Sequence, residues 1–271
     1  MYAGVDVGGT KTLVAVLDNN GVVRESKKFP TPRDYHHFVL ELKHTVAFLT
    51  TKEFRAAGVA IPGKLDRKHG RAISLGNLPW SNVPIGADCE KIFNCPAIIE
   101  NDANLAGLSE AMLQKKYKNV LYITVSTGIG SGFISNQAIV PSFADSEGGN
   151  ILLPYNDKLV KWEHFASGKA IYKHFGKKAA DITDEAAWKT IARHLALGLF
   201  EHIAILQPDL IIIGGSIGTY FSKYEAYLKA ELKKYELPIV PIPPIVEAKR
   251  PEEAVIYGCY DLAKQTYGKA D

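Results

Sequence analysis

The chain has 271 residues, of which 46% are hydrophobic and 23% charged, which is enough apolar material for about two packed domains. The net charge is +3, from 32 basic and 29 acidic side chains, and the basic residues are dispersed, so we expect no nucleic-acid partner. No apolar stretch reaches the roughly 18 residues that span a bilayer, and the three cysteines are sparse. The composition therefore predicts a cytoplasmic protein with no membrane partner.

The opening of the chain predicts an antiparallel β-meander. Residues 2–7 and 12–18 have strand patterns on either side of a glycine turn, and Asn-Asn-Gly at 19–21 is a hairpin signal before a third strand over 22–29. The pattern further along predicts, in chain order, a helix over 35–50, a strand within 56–63, a helix over 88–93, a strand over 96–100 and a helix over 102–113.

The same strand–turn–strand layout returns in the second half of the chain. Residues 119–125 form a strand pattern, Ser-Thr-Gly-Ile-Gly forms a turn, and a second strand follows. The weak similarity to the opening indicates two related domains with a boundary near residues 114–118. The remaining predicted elements are a helix over 184–206, a strand over 209–215, a helix over 220–235 and a last helix over 251–265.

The glycine turn near the amino terminus has the composition of a phosphate-binding turn. It is not a Walker A loop, because Thr10 separates Gly9 from Lys11 and the residues that follow predict a strand rather than a helix. Adjacent glycines still allow backbone N–H groups to converge on an anion. Asp6, at the end of the incoming strand, is placed to hold Mg²⁺ directly or through water. The alternative interpretation is a plain hairpin turn.

A second candidate lies at Asn101 and Asp102, where a buried strand gives way to a helix. Ligands of α/β proteins usually bind at the carboxyl ends of such strands. The alternative is that one of these two side chains simply caps the helix.

Three later segments carry further candidates. Residues 124–132 repeat the first motif as strand–turn–strand, so they are a candidate for binding the other end of a polyphosphate. Glu147 and Glu163 are candidates for hydrogen-bonding a polyol, whereas the neighbouring His164 has no second His or Cys at metal-binding spacing. Residues 211–218 predict a buried strand, a glycine turn and a helix start, which lets a flat ligand approach the backbone.

The order of these motifs resembles the ROK family (repressors, open reading frames and sugar kinases) of the sugar kinase/actin-like ATPase superfamily. The resemblance extends from Asp6 to about Gly218. The motifs that carry it are, in order, DxGGT at 6–10, PG at 62–63, ENDAN at 100–104, TxSTGIGSG at 124–132, EGGN at 147–150 and IIIGGS at 211–216.

The resemblance implies an α/β protein with two ribonuclease H-like domains, each built on a five-stranded sheet, and a cleft between them. The first domain would hold residues 1–115 and 251–271, and the second residues 116–250. The implied activity is ATP-dependent phosphorylation of a hexose or amino-sugar hydroxyl, with C6 as the expected position. Two alternatives stay open: a non-catalytic sugar-sensing regulator of the same family, and an ATPase acting on a protein or cofactor. Dimers are common in the family, so a homodimer is expected.

Carried over position by position, the resemblance also implies roles for individual residues. Asp102 matches the catalytic base. Sugar contacts are implied for Asn77, Asn101, Glu147 and Glu163. The first phosphate turn would use Gly8, Gly9, Thr10 and Lys11, with Asp6 beside Mg²⁺. The second would use Thr127 and Gly128, and adenosine would lie at Gly214, Gly215 and Ser216.

The chain departs from the family pattern at one site. Many members have a histidine where this chain has Asn150, and a cysteine-rich zinc loop precedes the position of Glu163; here residues 151–162 contain no cysteine. We therefore predict that the chain binds no zinc, and that Asn150 offers a hydrogen bond to the sugar in place of the imidazole.

Overall fold

The structure is a computed structural model that describes residues 1–251 and 253–268. The elements of the first half are β1 (Tyr2–Val7), β2 (Lys11–Leu17), β3 (Val23–Pro30), α1 (Tyr35–Ala47), β4 (Ala56–Ile61), β5 (Lys64–Asp66), β6 (Arg71–Ser74), β7 (Ser81–Val83), α2 (Ile85–Phe93), β8 (Ala97–Asn101) and α3 (Asp102–Met112). Those of the second half are β9 (Asn119–Val125), β10 (Ile129–Ser135), β11 (Ala138–Ile139), β12 (Leu152–Tyr155), β13 (Lys158–Lys161), α4 (Glu163–Ala166), α5 (Gly168–Phe175), α6 (Glu185–Leu206), β14 (Leu210–Gly214), α7 (Gly215–Gly218), α8 (Phe221–Lys233), β15 (Ile245–Glu247) and α9 (Ala254–Tyr267).

Contacts between the residues divide the chain into two compact units. The first unit holds Met1–Ser109 and the chain from Glu253 onwards, and the second unit holds the residues between them. The division falls inside α3, a few residues before the boundary that the sequence suggests. The limits of the two domains stay a prediction.

The sheet of the first unit has the strand order β3-β2-β1-β4-β8 over the described residues. β1 pairs antiparallel with β2, and β2 with β3, which confirms the predicted meander. β1, β4 and β8 run parallel, with Asp6 in register with Ala60 and Ala60 with Glu100. Because parallel strands end at the same edge of a sheet, Asp6 and Asn101 reach one common edge.

Helices cover both faces of this sheet. α1 packs with the buried side chains of Phe38, Leu42 and Val46, which have the predicted helical spacing. It ends at Ala47, three residues before the predicted end. α2 begins at Ile85 rather than at the predicted residue 88, because the buried residues Ile85, Cys89 and Phe93 repeat every four positions. α9 packs against β1 and β4 with Tyr2 and Tyr260 in a shared core.

The sheet of the second unit repeats the same topology. Among the described residues its order is β11-β10-β9-β14-β15, with β10 antiparallel to β9 and with β9, β14 and β15 parallel. α6 lies against this sheet with a buried stripe that includes Trp188, Leu195 and Ile203. Asp184 caps α6 by accepting from the N–H groups of Ala186 and Ala187. Two sheets of this order confirm the expected ribonuclease H-like α/β fold.

Several short elements were not predicted from the sequence. These are the three-stranded sheet of β5, β6 and β7, the β12–β13 hairpin, the helices α4 and α5, and the edge strands β11 and β15. Within the described residues, no helix combines the length and the apolarity needed to cross a membrane.

Candidate active site

The first glycine turn joins β1 to β2 and is closed by backbone bonds. The Gly8 N–H donates to the Lys11 carbonyl oxygen at 3.0 Å, and the Thr31 hydroxyl donates to the Gly8 carbonyl oxygen at 2.8 Å. A Cβ on Gly8 would lie 2.8 Å from the Lys11 oxygen, so the turn needs glycine there. Thr10 and Lys11 are exposed. The turn is therefore rigid at its base and offers the Lys11 ammonium to solvent.

Asn77 lies against this turn although it is far away in sequence. A Cβ on Gly9 would lie 2.9 Å from the Asn77 Cβ, so the Asn77 side chain packs on the Gly9 backbone. The structure thus brings together one residue with an implied sugar role and one with an implied phosphate role.

Asn101 and Asp102 both serve the start of α3. The Asn101 Oδ1 accepts from the Ala103 N–H at 2.9 Å and from the Asn104 N–H at 3.4 Å. The Asp102 Oδ1 also accepts from the Ala103 N–H, at 2.8 Å. The capping interpretation is therefore correct at the level of hydrogen bonds. It does not exclude a ligand, because the cap uses only the amide oxygen of Asn101 and one carboxylate oxygen of Asp102.

The electrostatics of this sheet edge disfavour negative charge on both acids. Burial raises the pKa of Asp6 to about 7; the charge of Asp102 adds to the rise, and Lys28 opposes it. Burial also raises the pKa of Asp102, against the N–H of Ala103, which lowers it. Paired acids with raised pKa values are typical of functional sites. A cation or a proton would relieve the unfavourable field.

The donor set at this edge fits Mg²⁺. Among the described residues there is no cluster of three or more His, Cys, Asp or Glu side chains that could hold a metal. Mg²⁺ rarely needs such a cluster, because it is usually bound by one or two carboxylates together with substrate phosphates and water. The Asp6 carboxylate meets that requirement.

The second glycine turn, between β9 and β10, is tied to two helix starts. The Ser126 carbonyl oxygen accepts from the Gly168 N–H at 2.7 Å, and the Ser126 hydroxyl accepts from the Ser216 N–H at 3.0 Å. Gly215 has φ +77°, and a Cβ there would lie 2.7 Å from the Ser126 hydroxyl oxygen. The turn with Thr127 and the segment from Gly214 to Ser216 therefore form one corner of the second unit. Ser126, whose hydroxyl links them, is not among the site residues that the sequence predicts.

Glu163 lies at this corner. Its Oε2 accepts from the Ile129 N–H at 3.4 Å, and a Cβ on Gly128 would lie 2.7 Å from the same oxygen. The structure therefore brings a residue with an implied sugar role against the implied phosphate turn. The neighbouring His164 is exposed.

Glu147 directly precedes a single 3₁₀ turn, Gly148–Asn150, which lies next to β10 and ends at Asn150. The Asn150 side-chain amide donates to the Glu147 carboxylate at 3.4 Å. Glu147 also lines a cavity of about 250 Å³ whose walls are mostly apolar; the other polar residues that line it are Ser131, Ser146, Glu201 and His202.

The residue just before Asn101 makes a contact that the sequence does not predict. Glu100 is buried and forms a bidentate ion pair with Arg67, with Nε–Oε2 and Nη2–Oε1 distances of 2.7 and 2.6 Å. Arg67 follows β5, in a region for which the sequence predicts no element. The only sequence signal for this contact is that an acidic residue directly precedes Asn101 and Asp102.

Two α/β units with one shared sheet order, each with a glycine turn between its first two strands, define a protein of the sugar kinase/actin-like ATPase fold. A solved structure of a ROK family glucokinase from Streptomyces griseus, in complex with glucose and AMPPNP, has the same fold: the TM-score is 0.81 at 22% identity, over 97% of this chain and 99% of that one. The ROK family model matches residues 2–266, and the chain belongs to the ROK family.

Curated relatives extend over nearly the whole chain. An N-acetyl-D-glucosamine kinase of Escherichia coli O9:H4 (strain HS) is 27% identical over 92% of this chain and 94% of its own length. A glucokinase of Streptomyces coelicolor is 25% identical over 97% of both chains. The expected family is thus confirmed.

Proposed function

We propose that this protein is an ATP-dependent sugar kinase that phosphorylates a hexose or amino sugar at its C6 hydroxyl. The observation that carries the proposal is the Asp102 carboxyl, which has a raised pKa and lies at the same sheet edge as Asp6 and the first glycine turn. Membership of the ROK family and relatives named as sugar kinases support it. The sugar-sensing regulator receives less support, because both reported relatives are named as enzymes.

Asp102 is the proposed general base. It takes the proton of the attacking hydroxyl as the sugar oxygen bonds to the γ-phosphorus and the bond to the bridging oxygen of ADP breaks. A raised pKa makes the carboxylate a stronger base near neutral pH, and such a base contributes roughly 10²–10⁴-fold in rate. The Ala103 N–H, which donates to Oδ1, holds the carboxylate in one orientation.

The remaining catalysis comes from positioning and charge neutralisation, because the transferred phosphoryl group is loosely bonded in the transition state. Gly8, Gly9, Thr10 and Lys11 are the proposed phosphate contacts of the first unit, and Thr127 and Gly128 those of the second. When bound, Mg²⁺ would neutralise phosphate charge beside Asp6. Gly214, Gly215 and Ser216 would contact adenosine.

Hydrogen bonds from side chains would hold the sugar. The proposed residues are Asn77, Asn101, Glu147, Asn150 and Glu163. No zinc is part of this proposal, because the β12–β13 hairpin occupies the stretch where a cysteine-rich loop would lie. We further propose a cytoplasmic enzyme, where ATP is available, that forms a homodimer and has no nucleic-acid partner.

A substrate screen tests the proposal. Purified protein is incubated with Mg-ATP and glucose, fructose, mannose or N-acylated amino sugars, and ADP release is measured. We expect at least one sugar to stimulate ADP release far above the ATPase background, and Asp102→Asn to lower that rate about 10²–10⁴-fold. Asp66→Asn, which changes a half-buried acid bonded to His69, is the matched control and should retain activity. The proposal fails if no sugar stimulates ADP release, or if Asp102→Asn equals the wild type.

A further inference from the structure

A single buried carboxylate oxygen connects three parts of the first unit. The Glu100 Oε1 accepts from the Arg67 Nη2 at 2.6 Å, from the Asn101 N–H at 2.7 Å and from the Asn104 Nδ2 at 2.9 Å. Glu100 is 5% exposed and Asn104 is 2% exposed, so water does not compete for these bonds. We propose that Arg67 and Glu100 are positioning residues that fix the Asn101–Asp102 backbone and thereby the direction of the Asp102 carboxylate.

The Asn101 N–H has particular need of this carboxylate. β8 is the last strand of its sheet, and Asn101 is its last residue, in register with Ile61 of β4. The Asn101 N–H donates to the Glu100 side chain, so a side chain satisfies the last backbone donor of this edge strand.

The same oxygen also holds the first turn of α3. Asn104 is in that turn, and its side chain donates to the atom that receives the Asn101 N–H. Asp102 lies between these two residues in the chain. Both ends of the Asn101–Asn104 segment are therefore attached to one point, which restricts rotation of the peptide groups that carry Asp102.

Arginine suits this role better than lysine. Its planar guanidinium presents two parallel N–H groups to the two carboxylate oxygens, which fixes the rotation of the Glu100 carboxylate as well as its position. A lysine at position 67 would keep the charge but would bind through a single nitrogen.

The kinetic test of this inference rests on the proposed function. Amide exchange provides a second test, which does not depend on kinase activity. The variants are Arg67→Met, Arg67→Lys and Glu100→Gln. Arg71→Met is the matched control, because Arg71 lies close by in β6 but bonds to Asn82 instead of Glu100. For each protein, kcat, the KM values for sugar and ATP, and the Tm are measured, and the exchange rate of the Asn101 amide is followed by NMR.

We expect Arg67→Met to lower kcat about 10–100-fold, because a displacement of about 1 Å can reduce the rate about 10²-fold. The KM for ATP should change little. Arg67→Lys should fall between the wild type and Arg67→Met, and Arg71→Met should match the wild type. The Asn101 amide should exchange faster in Arg67→Met and in Glu100→Gln.

A double-mutant cycle separates positioning from general structural damage. In an Asp102→Asn background, Arg67→Met should reduce the residual rate by less than about threefold, because the base it positions is already absent. An additive loss overturns the proposal, as does a kcat loss with unchanged Asn101 exchange. If Arg67→Met does not fold, Arg67→Lys takes its place in the cycle under the same criteria. If the wild-type protein phosphorylates no sugar, the proposed function fails, whereas unchanged Asn101 exchange in Glu100→Gln overturns the positioning role by itself.

Discussion

Asp6 holds a carboxyl group in surroundings that favour its neutral form. Burial and the nearby Asp102 raise its pKa to about 7, with Lys28 opposing them. Between about pH 4 and pH 7, the Asp6 carboxyl therefore carries a proton in the folded state, whereas in the unfolded chain it has lost that proton. The stability that this proton contributes is complete below pH 4 and is lost as the pH rises to 7. Above pH 7 the ionised Asp6 destabilises the free protein.

Replacement of Asp6 should have opposite effects on stability and on activity. We expect Asp6→Asn to raise the Tm of the ligand-free protein at pH 8 and to make the Tm less dependent on pH between 4 and 7. Kinase activity with Mg-ATP should fall, because the carboxylate proposed beside Mg²⁺ is gone. The Tm is measured by thermal denaturation from pH 4 to pH 8.5, and activity by ADP release.

Asp18 provides the control of opposite sign. Its pKa is lowered, first by the Val22 N–H that donates to it, so its ionised form stabilises the fold at neutral pH. Asp18→Asn should lower the Tm and leave activity intact. A Tm–pH curve for Asp6→Asn that runs parallel to the wild-type curve would contradict the assignment.

Among individual residues, Asn101 and Asp102 could be identified from the sequence, but the side-chain contacts that fix their position could not. The two interpretations of Asn101, cap and ligand, are compatible because the cap uses only its amide oxygen. The contact from Arg67 to Glu100 could not be predicted, because it depends on where the small β5–β7 sheet lies against β8.

The β12–β13 hairpin and the residues after it form a packed support for Glu163. Trp162 is fully buried; its backbone N–H donates to the Ile151 carbonyl oxygen at 2.9 Å, and its Nε1 donates to the His194 carbonyl oxygen at 3.0 Å. Tyr155 of the hairpin stacks on Phe165 with ring centroids 4.4 Å apart. Aromatic packing and these hydrogen bonds thus hold the chain on both sides of Glu163.

A comparison of two buried tryptophans tests this support. Trp162→Phe should lower the free energy of unfolding by about 2 kcal/mol, through lost volume and the lost hydrogen bond from Nε1 to the His194 carbonyl oxygen. It should also raise the KM for sugar, because Glu163 is the next residue. Trp188→Phe should cause a similar loss of stability, since Trp188 is also buried and its Nε1 donates to the Ile182 carbonyl oxygen, but its KM should stay at the wild-type value. Equal KM values in both variants would contradict the role of Trp162.

The long elements were predictable and the short ones were not. α6 was predicted to within one residue, because its apolar stripe repeats over more than four turns and Asp184 caps its start. Strands of two to four residues show too little alternation to be recognised. The β12–β13 hairpin did carry a local signal, since Asn156 and Asp157 both adopt positive φ in its turn, as a type I′ turn requires.

On the scale of the whole molecule, local sequence patterns could not show which sheet the last helix, α9, packs against. Periodicity predicts the last helix, and only the family resemblance assigns it to the first domain. In the structure, the Cys259 thiol on α9 is buried and donates to the Val5 carbonyl oxygen of β1 at 3.6 Å. The carboxyl-terminal helix therefore completes the core of the amino-terminal sheet, where Asp6 lies.

Thiol labelling tests whether α9 opens separately or only with the first unit as a whole. The thiolate is the reactive form of cysteine, and burial raises the pKa of Cys259 well above its ordinary value and that of Cys95 to about 11. Cys95 is half-buried, whereas Cys89 and Cys259 are 0% exposed, in the α2 and α9 packing respectively. Cys95 should therefore react first, and Cys95→Ser should remove that phase.

We expect Cys259 and Cys89 to react slowly and at the same rate, because α9 shares a core with β1 and its release would expose that core. Mass spectrometry of alkylated peptides over time measures each rate. Mg-ATP with a sugar substrate should slow both by the same factor, since ligands that bind only the folded state lower the population of open forms. Faster labelling of Cys259 than of Cys89 would instead show that α9 detaches by itself, which would separate the chain end from the stability of the sheet that carries Asp6.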